Sequence, residues 1–309
     1  MKKKFKRLLI IGGTGFIGKN IVKKLKKKFK IFSISTSLPS TNEGVKGVKY
    51  FTCDISNKKK LNNTIKKKHF DFVLNLGGNI NHKDSKKTFS SHYTGIKNLA
   101  DFFLDKKITK FIQVGSSLEY GNCKSPHKEQ FNINSKSLKS YYGRAKYNAT
   151  KLLINYYKKY NFPVIILRAY QVYGPYQKIN RILPIVITSC LKKKKFACSD
   201  GNQLRDFLYV DDFVNLITKL LNKKKHLNGH IFNVGSSKPI KIKKVINTVV
   251  KKIKSGLPIF GLLKLRKDEY INNYPSIDKV KKFINWYPKV TLAKGLDRTI
   301  AYYKEQIKF

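Results

Sequence analysis

Apolar residues in the first half of the chain fall in short, nearly unbroken runs: RLLIIGG (7–13), FKIFSIS (29–35), VKYFTCDI (48–55), FDFVLNLGG (70–78), KFIQVGSS (110–117) and PVIILRAY (163–170). Runs this short, bounded by glycine, serine or charge and lacking polar alternation, predict strands covered on both faces. Between them GKNIVKKLKKK (18–28), KKLNNTIKKK (59–68), YTGIKNLADFFLDKK (93–107) and YGRAKYNATKLLINYYKKY (142–160) repeat their apolar residues at helical spacing. Strand and helix in alternation predict an α/β fold, a doubly wound parallel sheet whose ligands lie outside the carboxyl ends of its strands.

Past Gly174-Pro175 the rhythm becomes irregular: RILPIVITSCL, then a strand pair around KKFACSDGNQLRDFLYV, a helix from DDFVNLITKLL, the run HIFNVGS, and a terminal helix LAKGLDRTIAYYKEQ. With no internal repeat or low-complexity linker, the pattern predicts a first domain over 1–173 and a smaller lobe over 174–309, interleaved with the first.

Composition narrows the class. The chain has 309 residues, of which 41% are hydrophobic, enough for a substantial core. No apolar run approaches the ~20 residues of a membrane-spanning helix. The start MKKKFKRLLIIGGTG mimics a secretory leader, but its apolar stretch Leu8 to Ile11 is far short of the usual ~7–15 residues and runs into glycine. The expectation is a soluble, cytoplasmic protein with no membrane partner. Four cysteines, Cys53, Cys123, Cys190 and Cys198, form no C-x-x-C pair, and the i,i+4 histidines His226 and His230 enclose an Asn-Gly turn signal. No metal site is expected.

The charge pulls another way: 66 Lys and Arg against 17 Asp and Glu, a formal +49, is what a nucleic-acid or anionic-membrane partner attracts. The lysines, however, are scattered in short runs (Lys2 to Lys4, Lys26 to Lys28, Lys58 to Lys60, Lys66 to Lys68, Lys192 to Lys195, Lys223 to Lys225), and neither an aromatic-basic RNA motif nor a helix-turn-helix stands out. A solvated basic surface without a specific nucleic-acid site is the expectation.

Candidate chemistry begins at Gly12, Gly15 and Gly18, a G-x-x-G-x-x-G between the first strand and the first helix. Glycines there allow a tight turn, the approach of backbone N–H groups to a pyrophosphate and close strand-helix packing, while the helix amino end favours negative charge. That context predicts dinucleotide binding and a Rossmann-like sheet. The second strand ends in FSISTS, where Ser33, Ser35, Thr36 and Ser37 can bond a hydroxyl or a phosphate and no carboxylate repels a 2′-phosphate. NAD and NADP therefore both stay open, the missing carboxylate leaning slightly to NADP. Asp54 either meets the adenine edge or caps the helix beginning near Lys58.

The second signal is SYYGRAK, in which Tyr142 precedes Lys146 by one helical turn, so ammonium and phenol share a face. A nearby cation favours phenolate, which can act as a base near neutral pH. Upstream, VGSSLEYG ends a strand with Ser116 and Ser117, placing a hydroxyl at the sheet's carboxyl edge. Glycine triplet, strand-end serine and Tyr-Lys pair, in that order, imply hydride transfer at a secondary alcohol or ketone.

Together these pieces resemble the extended short-chain dehydrogenase/reductases, in their NAD-dependent epimerase/dehydratase, sugar-nucleotide branch. The resemblance runs through IIGGTGFIGKNIVKKL, VGSSLEYG, YYGRAKYNATK, LRAYQVYGP, GNQLRDFLYVDDFVNLI, NVGS and WYPKVTLAKGLDRTI, essentially the whole chain. It implies Ser116 as the catalytic hydroxyl ahead of Ser117, Tyr142 as acid/base, and Lys146 as the group that orients the nicotinamide ribose and tunes Tyr142. It implies that NAD or NADP is lined by Gly12, Gly15, Phe16, Ile17, Gly18, Ser35, Asp54, Ile55, Leu76, Tyr142, Lys146 and Tyr170. The implied substrate is a nucleoside-diphosphate sugar, its diphosphate contacted by Arg205 or, second, Arg266, with Ser116 and Gln171 as further contacts. Arg205 could instead pair with Asp206, Asp211 or Asp212, and Gln171 stands where the family usually has Asn.

Other departures bear on the reaction. The 4,6-dehydratases of the family carry an acidic pair directly after the catalytic hydroxyl; here Ser117 and Leu118 stand there, and Glu119, one step on, faces the opposite way on an extended segment. LNLGG replaces the frequent His-Leu-Ala-Ala, and His92 stands where Asn is usual, which suggests a less common subgroup resembling CDP-abequose or CDP-paratose synthases. The expected activity is that of a 4-epimerase or 4-ketoreductase in surface-polysaccharide synthesis, dimeric through the helix bearing Tyr142. The alternative is a non-catalytic dinucleotide-binding scaffold or RNA-associated protein.

Overall fold

The computed structural model describes residues 5–40, 42–79, 84–223 and 227–307. Lys2 to Lys4, Lys224, Lys225 and His226 lie outside them; His230 is described, its ring stacked on Phe232.

The first half builds β1 (Arg7–Ile11), α1 (Phe16–Leu25), β2 (Lys30–Ser35), β3 (Lys49–Thr52), α2 (Lys58–Ile65), β4 (Phe72–Asn75), α3 (Ser85–Phe89), α4 (Gly95–Leu104), β5 (Lys110–Ser116), α5 (Tyr141–Tyr160) and β6 (Val164–Ala169). All six predicted strands and four predicted helices are present. Absent from the prediction is α3, which a π-helical turn over Ser90–Thr94 joins to α4. The second half adds β7 (Gln171–Tyr173), α6 (Ile182–Leu191), β8 (Lys195–Ala197), β9 (Leu204–Tyr209), α7 (Val210–Asn222), β10 (Ile231–Val234), β11 (Pro239–Lys241), α8 (Ile242–Ile253), β12 (Leu257–Ile259), β13 (Asn272–Asn273), α9 (Asp278–Ile284) and α10 (Leu292–Gln306).

The main sheet is seven-stranded and parallel, in the order β10-β6-β5-β4-β1-β2-β3. The strand order reverses between β1 and β4, the position where doubly wound sheets open a ligand crevice. Both faces are covered, as continuous apolar runs require. In β1, Leu9 and Ile11 join a core with Leu61 and Ile65 of α2, Leu99 and Phe103 of α4 and Leu153 of α5; Leu8 and Ile10, alternating with them, are equally buried.

The chain divides into two compact units, both discontinuous in sequence. The first takes residues up to Gly121, Asn132–Arg168 and Ile217–Phe232; the second takes Asn122–Phe131, Ala169–Leu216 and Asn233–Phe309. A division at residue 173 does not describe this interleaving. HIFNVGS, read in sequence as part of the second lobe, supplies β10, the edge strand beside β6, and the stretch Ile217–Phe232 that runs into it belongs to the first unit. The strands around KKFACSDGNQLRDFLYV also find other partners. β8 pairs with β12, whereas β9 pairs with β7, β11 and β13. Each hydrogen-bonded neighbour comes from far along the chain, so spacing alone could not reveal it.

Candidate active site

At the carboxyl end of β1 the chain turns through Gly12, whose φ of +82° is a left-handed conformation that favours glycine. A Cβ on Gly12 would also stand 3.2 Å from the Gly77 backbone at the end of β4, so the two strand ends meet at the switch point. Gly18 is demanded by packing: its Cβ would lie 2.2 Å from the Gly12 carbonyl oxygen, and α1 could not close on the turn. Gly15 is different. Its φ is −78°, and Gly12 O, at 3.3 Å, is the one heavy atom within 4 Å of a Cβ there. The protein's own packing calls for glycine less strongly at 15 than at 18, whereas a ligand lying against its backbone would call for it outright. α1 then opens with neither a side-chain cap nor an acidic residue in its first turn, leaving its amino-terminal N–H groups and positive dipole end to an anion.

Phe16 and Ile17, half-buried, head that helix. Ser35 at the end of β2 accepts a hydrogen bond from Thr14 N at 3.4 Å, which ties its hydroxyl to the glycine turn. Ser33 is fully buried, its Oγ 2.3 Å from where a Cβ of Gly13 would stand, so of the four hydroxyls in FSISTS it cannot face a ligand. Sequence reading also missed a carboxylate: Glu43, beyond β2, pairs with Lys19 of α1 and accepts from Ser40 Oγ at 2.8 Å. The Lys19 and Ser40 contacts hold the Glu43 carboxyl below its usual range against a smaller burial penalty. Asp54 is exposed, accepting from Ser56 N at 2.9 Å, and it does not cap α2; Asn57 does, accepting from Lys60 N. Ile55 is buried beside it, and Leu76 N donates to Ile11 O where β4 ends.

Ser116 closes β5 and opens a single 3-10 turn over Ser117–Tyr120. Its Oγ accepts from Leu118 N at 3.2 Å, and its backbone N donates to Glu119 Oε1 at 2.8 Å, a reciprocal capping box. The segment is therefore a turn and not extended, and Glu119 points inward for that reason. Its other oxygen accepts from Thr150 Oγ1 at 2.8 Å and from Arg168 Nε at 2.9 Å, all three side chains being buried. The Arg168 guanidinium also lies 4.5 Å over the Tyr120 ring. Burial alone would lower the Arg168 pKa, but the charge of Glu119 carries it upward. Gly115 is glycine because a Cβ there would stand 2.4 Å from Glu119 Oε1.

α5 begins at Ser140, whose Oγ caps Gly143 N, and lays its first turn on the Ser116 turn: a Cβ on Gly143 would be 2.8 Å from Leu118 O. That contact sets Tyr142 and Lys146 beside the end of β5. Lys146 is buried and donates from Nζ to Val114 O at 2.8 Å, with the same nitrogen 5.9 Å from the centre of the Tyr142 ring. Burial pushes the Lys146 ammonium down to about 8, and Glu119 opposes the shift. Tyr142 is half-buried, and the ring of His92, from the π-helical turn, stands edge-to-face with it at 4.9 Å.

The remaining sequence-predicted residues belong to the second unit. Tyr170 is buried, its hydroxyl 2.8 Å from His127 Nδ1; His127 Nε2 is 3.0 Å from the Cys123 carbonyl, so Nε2 carries the proton and Nδ1 accepts from the phenol. No spacing pointed to His127. Gln171 is exposed at the start of β7. Arg205 does not pair with Asp206, Asp211 or Asp212. Asp206 accepts from Ser236 and Lys238, Asp211 pairs with Arg298, and Asp212 accepts from Lys289 N and Val290 N. The partner of Arg205 is Glu269, and its η nitrogens also donate to the carbonyls of Leu204, Tyr270 and Ile271. Glu269 Oε2 also takes Arg266, at 2.7 Å, so one carboxylate bridges both arginines. Burial would raise Glu269, but the two guanidinium groups carry its pKa down. Among the described residues no His, Cys, Asp and Glu cluster could hold a metal, and no helix is long and apolar enough to cross a membrane.

Residues 8–235 match the NAD dependent epimerase/dehydratase family. Among curated relatives, dTDP-D-glucose 4,6-dehydratase of Homo sapiens is 26% identical over 97% of this chain and 90% of its own length. UDP-glucuronate 4-epimerase of Thermodesulfobacterium geofontis is 26% identical, covering 97% of each chain. Among solved structures, UDP-glucuronic acid 4-epimerase of Bacillus cereus in complex with UDP-glucuronic acid and NAD superposes with a TM-score of 0.87 at 25% identity, over 97% of this chain and all of that one.

Proposed function

The chain belongs to the NAD dependent epimerase/dehydratase family, and from that premise we propose that it is a 4-epimerase of nucleoside-diphosphate sugars, with 4-ketoreduction as the neighbouring alternative. The observation that carries the reading is the placement of Tyr142 and buried Lys146 on one face of α5 against the Ser116 turn. The glycine turn at the β1/β4 switch point fits a dinucleotide, Gly15 being the position where a ligand explains glycine better than the fold does. Glu43, held on Lys19, keeps a carboxylate by the helix that opens there and favours NAD over NADP.

When bound, the nicotinamide supplies hydride exchange at C4 of the sugar. Tyr142 takes the proton from the C4 hydroxyl and later returns it. Lys146 lends positive charge to the phenolate, the form of Tyr142 that accepts this proton. The Ser116 hydroxyl, which accepts from Leu118 N, keeps its own proton to donate to the C4 oxygen. Arg205 and Arg266 take the diphosphate, with Glu269 as their counter-ion until the phosphates replace it. A homodimer through α5 and a place in surface-polysaccharide synthesis belong to the same proposal.

Relatives named as 4,6-dehydratases make dehydration the competing reaction. It needs a second acid and base after the Ser116 position. Ser117 and Leu118 are neither, and Glu119 is buried on Arg168, Thr150 and the Ser116 backbone. The deciding experiment denatures purified protein, identifies any released dinucleotide, and follows UDP-glucuronate, UDP-glucose and dTDP-glucose by NMR. Retained NAD with C4 inversion is expected. A 4-keto-6-deoxy product would establish the dehydratase instead, and binding of neither NAD nor NADPH would overturn the enzyme reading.

A further inference from the structure

Two departures from the family pattern, Gly77-Gly78 after β4 and His92 in the following helix, are one structural change. The φ of Gly78 is +147°, and a Cβ there would stand 1.9 Å from His92 Cε1 and 2.2 Å from Nδ1, so the loop is stripped of a side chain where the imidazole lies. The loop is stitched to the π-helical turn on both sides of that ring. Asn79 N donates to Ser91 Oγ at 2.9 Å, and His92 Nε2 donates to Asn79 O at 2.8 Å. His92 is 4% exposed, and its far side meets the Tyr142 ring at 4.9 Å with the planes 80° apart. The π-helical turn itself serves this placement, because its extra residue per turn alters the direction of the side chains it carries.

We propose that His92 is a positioning residue for Tyr142. The imidazole, clamped over Gly78 by Asn79, walls one side of the phenol and so restricts where its hydroxyl can stand. A single edge-to-face aromatic contact is weak, so the wall contributes little to folding. Its effect falls on the reacting geometry, where a displacement of roughly 1 Å costs on the order of a hundredfold in rate. The kinetic part of this inference rests on the proposed activity; the contact itself does not.

The test uses the full chain with ring-labelled tyrosine, the Tyr142 resonance being identified by its loss in Tyr142→Phe. In His92→Ala that resonance is expected to move to the position of an averaged, solvent-facing ring, and in His92→Phe to stay displaced by a neighbouring ring. With whichever nucleotide sugar is turned over, His92→Ala should lower kcat roughly 10- to 100-fold at a KM within about twofold, and His92→Phe should restore most of it. Where His92→Ala does not fold, His92→Asn takes its place. A Tyr142 resonance unmoved in the ringless variant, an unchanged kcat, or a Phe variant no better than Ala would overturn the proposal. If no nucleotide sugar is turned over, the functional reading fails, and the resonance still decides on His92.

Discussion

At the residue scale, the site is governed by three buried charges, one unpaired and two paired with each other. Among the described residues Lys146 has no carboxylate ion-pair partner, and burial holds its pKa near 8. An unfolded lysine titrates at ~10.4. Between those values the unfolded chain holds a proton that the folded chain has released, so Lys146 makes stability rise with pH across that window and is unfavourable below it. In urea denaturation the stability of wild type relative to Lys146→Met is therefore expected to rise by up to on the order of 3 kcal/mol between pH 8 and 10. Glu119 and Arg168 are buried as a pair instead. In Glu119→Gln the guanidinium loses its counter-ion, a loss of about 3–5 kcal/mol, and a second change, Arg168→Met, should recover most of it. Equal midpoints for wild type and Glu119→Gln would refute the assignment of Glu119 as the clasp of the Ser116 turn.

At the element scale, the same glycine motif contains positions of different meaning. Gly18 answers to helix-strand packing, whereas a Cβ on Gly15 would meet only Gly12 O. Gly18→Ala should thus cost at least about 3 kcal/mol of stability by overpacking. Gly15→Ala should cost only the ~1 kcal/mol of a poorer N-cap residue while dinucleotide binding, read by calorimetry, falls severely. The reverse outcome would place the pyrophosphate elsewhere. The strands and helices of the first half were legible because apolar period and turn residues are local properties, and β1, β5 and α5 stand where their patterns put them. α3 and the π-helical turn were not, since SKKTFSSHYT has no apolar stripe and its shape comes from packing on α5.

At the scale of the whole molecule, the net charge of +49 is spread over the surface while only Lys110, Lys146, Arg168 and Arg205 among the described Lys and Arg residues are buried. Such a surface attracts polyanions without reading them. Binding to homopolymer RNA should therefore show no base preference and collapse between about 50 and 200 mM salt, with Tyr142→Phe abolishing turnover and leaving that binding untouched. RNA retained at high salt by a chain whose turnover ignores Tyr142 would instead favour the scaffold alternative.

What the sequence determined by itself was whatever depends on neighbours in the chain: the α/β alternation, the glycine turn into α1, the strand-end Ser116, and the one-turn spacing of Tyr142 and Lys146. Tertiary structure decided what depends on residues far apart. It turned Glu119 from a misplaced acid into the partner of Arg168, gave Arg205 to Glu269 in place of the nearby aspartates, carried β10 back to the main sheet, and joined Gly78 to His92. In each case the deciding energy is the burial of a charge, a backbone group or a ring. Which partner answers that need is set by which segments the fold brings within a few ångströms, and nothing local in the chain encodes it.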